Sequence, residues 1–255
     1  ELEATNHSSL NILILEGEEL IGAMQNRILN TSVLLPPMAM TKIPVSCTEA
    51  GRWEDVSPSF ADAAEMVPFS IRSGIKNRVS DSMNFDGTRS AGQGEVWDDI
   101  KQVESDLETN SPTSALNHTT SMYREISDET VRSFQLLPDQ VGATVFIDGR
   151  LAGVDIVSSP VVFQAFWAKL MRSYVLDTNR VGPEHARKDV NHVAEARGMV
   201  SEILGAKWIE FDAVGNGKDL RFQGDETAGS ALVYENRLVH LSVLSNRIGA
   251  QFRKK

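Results

Sequence analysis

The chain has 255 residues, 41 % hydrophobic and 24 % charged, with a formal net charge of −10. That is enough apolar material for a sizeable core, and the acidic balance argues against sequence-independent binding to DNA or RNA, which needs a basic face. A single cysteine excludes an internal disulfide, the five histidines are scattered, and no cluster has metal-ligand spacing, so neither a metal nor another cofactor is expected.

The first nine residues, acidic and polar, are expected to be disordered and lack the pattern of a signal peptide. No apolar run approaches the roughly 20 residues that cross a bilayer. A cytoplasmic protein without membrane contact is expected, and homo-oligomerisation is compatible with the composition. Residues 10–250 read as a single domain.

In chain order, "LNILILEGEEL", "RILNTSVLLPP" and "TKIPVSC" read as strands, rich in Ile, Leu and Val and bounded by Gly, Pro or charge. Cys47 then ends a strand, and "TEAGRW" is the turn beyond it. Residues 54–92 read as a long irregular segment, with a helical piece on Ile71, Ile75 and Val79. This segment carries Arg72, Lys76, Arg78 and Arg89, a cationic island in an acidic chain. It is either an anion grip or a solvated face.

Amphipathic helices follow in "GEVWDDIKQVESDL", "SPTSALNHTTSMYREI" and "SDETVRSFQLL". A hairpin turns at Asp148-Gly149. The next helix opens on Ser-Pro and stacks Phe163, Phe166, Trp167, Leu170 and Tyr174 on one face, a core stripe rather than a cofactor box. One more helix ends near Gly205, and two hairpins turn at Asn216-Gly217 and Glu235-Asn236. Residues 143–157 match 230–244 without gaps, which marks either a duplication or the common demands of a hairpin. The expected fold is α+β: mostly antiparallel sheets built from hairpins, with inserted helices and two similar halves as an open alternative.

Two stretches offer chemistry. In "SCTEAGRW", Glu49 can direct a water or accept a ribose hydroxyl, Arg52 can fork onto phosphate and Trp53 can stack on a base. Cys47 reads as a buried strand residue rather than a nucleophile. In "QGEVW", Gln93 and the glycines precede a helix whose Glu95 can act as a general base. This is neither a dinucleotide-binding nor a Walker loop. Arg72, Lys76 and Arg78 supply further cations, and His240 sits on the last strand as support. His185 and His192 lack a third ligand. The carboxylates of "GEEL" (17–20) read as a turn without pairing for glycosidase chemistry.

On "KIPVSCTEAGRW", "QGEVWDDI", "NILILEGEELIGAMQNRILNTSVLLPP" and "GSALVYENRLVHLSVL", the chain resembles the ARG-and-rhodanese-phosphatase-superfamily-associated protein domain, a prokaryotic family. The resemblance implies a link to ADP-ribose or NAD metabolism and brings no catalytic residues with it. The functional expectation is a pocket protein that binds or hydrolyses an ADP-ribose-like nucleotide. Its catalytic carboxylates are Glu49 and Glu95, and Arg52, Trp53, Arg72, Lys76, Arg78 and Gln93 are its ligand-binding groups. The alternative is a non-catalytic scaffold module that uses residues 54–92 as a contact surface.

Overall fold

A computed structural model describes residues 1–180 and 190–246, so His185 lies outside the described residues. The fold is α+β, and every sheet is antiparallel. Each apolar N-terminal run splits into two short strands because Gly, Asn or Pro interrupts it. The strands are β1 (Leu2–Thr5), β2 (Ile12–Ile14), β3 (Glu18–Gly22), β4 (Arg27–Leu29), β5 (Val33–Leu35), β6 (Met40–Ile43) and β7 (Val45–Cys47), followed by β8 (Phe60–Met66). They form a pair β1-β6, a pair β2-β5 and a four-stranded sheet β7-β4-β3-β8. Pro44 divides β6 from β7; without an N–H it cannot continue either ladder, and the chain changes sheets there.

Two expectations are corrected. Residues 1–9 are not disordered throughout: Leu2–Thr5 pair with Met40–Ile43, and Leu2 and Ala4 pack on Leu29, Val33, Leu35 and Ile43. Residues 54–92 are not one irregular segment, because β8 is followed by the 17-residue helix α1 (Phe69–Phe85). Its Ile71, Ile75, Val79 and Met83 join the stripe Val96, Ile100 and Val103 of the helix that follows in one core cluster. Arg72, Ser73, Lys76 and Ser80 are buried on α1 as well. A helix buried on a polar side lacks the clean two-faced pattern that marks a surface helix.

Helices α2 (Gln93–Asp106), α3 (Leu116–Met122) and α4 (Arg124–Arg132) follow. The turn at Ser111, whose Oγ accepts from the Ala115 N–H at 2.8 Å, delays α3 to Leu116. Next come β9 (Gly142–Ile147), β10 (Arg150–Val157), α5 (Pro160–Thr178), α6 (His192–Gly205), β11 (Ile209–Asp212), β12 (Lys218–Gln223), β13 (Thr227–Tyr234) and β14 (Arg237–Ser245). Strands β9 to β14 form one sheet in the order β11-β12-β13-β14-β10-β9. Met199 and Ile203 of α6 pack with Val154, Phe222, Leu241 and Val243 on one face. Phe163, Leu170 and Tyr174 of α5 meet Val157 and Leu244 on the other, so the aromatic stripe is core. Among the described residues no helix is long and apolar enough to cross a membrane.

The two matching hairpins share more than composition. Asp148-Gly149 and Glu235-Asn236 all have positive φ, the conformation a tight two-residue hairpin demands. Each hairpin carries its bulge at the matching position, Ala152 in one and Val239 in the other. Strands β10 and β14 pair so that the matched residues Asp155 and Ser242 face each other. The hairpins are therefore related by a local two-fold through that pair.

Candidate functional site

The structure distributes the sequence-selected residues over three places. The first is a cleft of about 540 Å³ between the β3–β4 turn, the loop after β7 and α3; Asn26, Glu49, Arg52, Ser57, Asn117 and His118 are among its lining residues. Arg52 spans it at the base. Its Nε donates to Glu49 Oε2 at 2.9 Å, and its Nη groups donate to Ala23 O at 2.5 Å, Glu54 O at 3.1 Å and Asn26 Oδ1 at 3.1 Å. Glu49 also accepts from the Asn26 N–H at 3.3 Å and Thr113 Oγ1 at 2.8 Å. Burial pushes the Glu49 carboxyl up, but the bonds from Arg52, Thr113 and Asn26 outweigh it and hold the group below its ordinary value. Arg52 and Glu49 thus clamp the loop, and the guanidinium is committed to protein acceptors rather than presented as a fork for phosphate. Trp53 stands 64 % exposed one residue on.

Directly behind this clamp lies Glu19, 1 % exposed on β3. Thr48 Oγ1 donates to its Oε1 at 2.7 Å. Burial, reinforced by the charges of Glu65 and Glu49, raises this carboxyl to about 7. The "GEEL" carboxylates are therefore inside a strand, not on a turn. The repeated Glu in an otherwise apolar strand was the available signal, since neighbours point to opposite faces and both cannot reach solvent in a covered sheet.

The second place is the start of α2. Gln93 clamps Cys47 by accepting from its backbone N–H at 2.8 Å and donating to its carbonyl at 3.0 Å. So "QGEVW" does fold back on "SCTEAGRW", through Gln93. Glu95 takes no part in the cleft; it stands exposed in the first turn of α2. Arg78 binds Ala91 O at 2.6 Å and Asp99 at 2.8 Å, joining α1 to α2. Arg27 Nη1 meets Cys47 Sγ at 2.7 Å.

The third is a buried ionic cluster where α1 crosses the six-stranded sheet, and here Arg72, Lys76 and His240 do come together. Arg72 forks onto Asp155, with Nη2 at 2.7 Å, and reaches Ser242 at 3.3 Å. Tyr174 donates to the same carboxylate at 2.5 Å. Gly17, with φ of +86°, makes room for Arg72, since a Cβ there would lie 2.9 Å from Arg72 Cγ. Lys76 pairs with Glu16 and donates to Ser230 at 2.6 Å, and Ser230 donates to the other Glu16 oxygen at 3.0 Å. His240 Nδ1 lies 2.9 Å from Ser32 Oγ, and its Nε2 lies 3.7 Å from Asp155. Arg221 holds Asp219 and Thr31 alongside.

Burial pushes the Glu16 carboxyl up, yet Lys76, Arg221 and His240 together bring it to about 2, and burial lowers Lys76 to about 8 against the pull of Glu16. Asp155 is held well below the carboxylate range: burial opposes this, but Arg72 and His240 prevail. All of these pairs are ionised at neutral pH. The order Ser32–His240–Asp155 has the sequence of a nucleophile, base and orienting acid. However, none of the three lines the cleft, and Asp155 already accepts three hydrogen bonds from Arg72 and Tyr174. The charges serve to join the N-terminal strands, α1 and the sheet. Sequence reading missed Glu16, Asp155, Asp219 and Arg221. The signal was a charge facing inward in "GVDIV" and "KDLRF", legible only once both faces of that sheet are known to be covered.

Among the described residues no three His, Cys, Asp or Glu side chains are arranged to hold a metal. No curated protein and no solved structure matches the chain. Residues 1–244 do match the ARG and Rhodanese-Phosphatase-superfamily-associated Protein domain, and the chain belongs to that family.

Proposed function

We propose that the protein binds a small nucleotide of the ADP-ribose or NAD class in the cleft beside Glu49 and Arg52. The observation that carries this reading is the cleft itself. Its volume of about 540 Å³ is within the range of small-ligand sites, and Asn117, His118 and Ser121 line it with hydrogen-bonding groups. The ligand class is the one implied by the family resemblance, the family being named for its association with ARG and rhodanese-phosphatase proteins. Binding is favoured over hydrolysis, because the hydrogen bonds from Arg52, Asn26 and Thr113 lower the basicity of Glu49 and leave it one acceptor position, on Oε1, and Glu95 stands outside the cleft. A general base needs a free lone pair within reach of the attacking water. Ribose hydroxyls and phosphate oxygens suit the amide, imidazole and hydroxyl groups of α3, and exposed Trp53 offers a face for the base.

A scaffold role is the second reading. The exposed apolar pair Trp53 and Val56, each 64 % exposed, favours it, with the contact surface reduced to the loop 53–59 because α1 is largely buried. A thermal-shift series with ADP-ribose, NAD and ADP separates the two. A ligand at a hundred times its dissociation constant stabilises by about 2.7 kcal/mol. The nucleotide reading expects that shift with at least one of the three, and no shift with any of them rejects it.

A further inference from the structure

A second cavity, of about 470 Å³, opens where α6, the start of β10 and the β12–β13 turn meet, and none of its described lining residues belongs to the cleft beside Glu49. The tight turn at Asp148-Gly149 makes Arg150 the first residue of β10, and Leu151 follows it. Leu151 packs with Met199 of α6 in the core cluster on that face of the sheet, which gives the cavity an apolar wall. Glu202 stands three residues after Met199 on the same helix, and Thr227 Oγ1 donates to its Oε1, tying α6 to the start of β13. Asp225 enters from the turn between β12 and β13.

Arg150 is the unusual group in this cavity. Elsewhere the guanidinium groups are matched: Arg52, Arg72, Arg78, Arg172 and Arg221 each hold a carboxylate. Arg150 Nε is buried without a hydrogen-bond partner, and among the described residues its guanidinium joins no ion pair. Yet Glu195, Glu202, Asp225 and Glu226 line the same cavity, which therefore holds both signs of charge apart. A donor withdrawn from water and left unused is costly, and a carboxylate supplied by a ligand removes that cost. An anion alone would meet the acidic wall, and a cation alone would meet Arg150. A molecule that carries both charges suits both ends, and the volume is within the range of small-ligand sites. We propose that this cavity binds a small zwitterion of the amino-acid or dipeptide class, with its carboxylate on Arg150, its ammonium toward Glu202 and Asp225, and an apolar side chain on Leu151 and Met199. The site is independent of the nucleotide reading of the cleft.

The test is isothermal titration calorimetry with leucyl-leucine, its N-acetyl form and its C-terminal amide, joined to methyl chemical-shift mapping in labelled protein. Leucyl-leucine should bind. Blocking either end removes one charge and should weaken binding about tenfold or more, the scale of a lost charge-assisted hydrogen bond. The methyl resonances of Leu151 and Met199 should move on adding the dipeptide, while Asn117 and His118 stay unmoved. Arg150→Gln should lose a similar factor, whereas Arg237→Gln, at the matching place in the other hairpin, should leave binding unchanged. Arg150→Lys keeps the charge without the fork, so its affinity should fall between wild type and Arg150→Gln, which separates loss of the contact from a folding defect. Failure of leucyl-leucine to bind overturns the proposal, as does equal binding by either blocked form. Binding that survives Arg150→Gln, or shifts centred on Asn117 and His118, puts the dipeptide elsewhere and overturns it too.

Discussion

At the scale of single residues, the difference between a presented and a committed charge decides the chemistry. Arg52 has the residue type of a phosphate fork, but four acceptors already hold it. Arg52→Ala should therefore behave first as a structural change, costing about 2 kcal/mol in chemical denaturation because Glu49 loses its main partner. In the buried cluster the effect is larger. Lys76→Met strands Glu16 and should cost about 3–5 kcal/mol, while adding Glu16→Gln should recover much of it. If the single and double variants are equally unstable, the pair is not the principal partner of either group.

Glu16 and Glu19 should also respond to pH with opposite signs. Glu16 titrates lower when folded, at about 2, so it contributes stability above its ordinary 4.5 that is lost as pH falls toward 2. Glu19 titrates higher when folded, at about 7, so its contribution is complete below 4.5 and disappears as pH rises to 7. Relative to Glu19→Gln, the wild type should lose stability on the order of 3 kcal/mol between those limits, measured by urea unfolding across pH. A constant difference between the two proteins would contradict the burial-driven shift of Glu19.

At the scale of elements, the parts with one apolar face were legible in the sequence. The α2 stripe, the aromatic face of α5 and the hairpin turns at Asp148-Gly149 and Glu235-Asn236 all follow from periodicity and turn chemistry. Helix α1 was legible only as a helical piece on Ile71, Ile75 and Val79; its full extent was not, since its Arg72, Lys76 and Ser80 face a polar interior that only the folded sheet provides. Strand β1 was missed for a similar reason, because four alternating residues specify little until β6 is present to pair with them. In the candidate site, the sequence singled out Glu49, Arg52 and Gln93 as separate groups, but not that Gln93 would clamp Cys47 or that Arg52 and Glu49 would satisfy each other. The matched hairpins show a further consequence of packing. Gly153 lies where a Cβ would be 2.7 Å from Leu244 Cδ2 and 2.9 Å from the Tyr174 hydroxyl. Gly153→Ala should lower stability by about 1–3 kcal/mol through overpacking, visible as a reduced melting temperature, whereas an unchanged melting temperature would mean that β14 and α5 can yield.

At the scale of the whole molecule, α1 is the element that joins α2, α5 and the six-stranded sheet. Its apolar stripe packs on α2, and its charged stripe crosses the six-stranded sheet to hold Asp155 and, through Lys76, Glu16 beside β3. That arrangement fixes β3 and β4, whose connecting turn supplies Asn26 to the cleft, and leaves the cleft open at the edge of the fold. The central claim is that this cleft receives an ADP-ribose-type nucleotide. It is tested most directly by mapping backbone and side-chain amide shifts on adding ADP-ribose to labelled protein. The account predicts perturbations concentrated at Asn26, Asn117, His118 and Ser121, with the Ser230 and Ser242 region unmoved. Perturbations centred on the buried cluster instead, or none at saturating ligand, would contradict it.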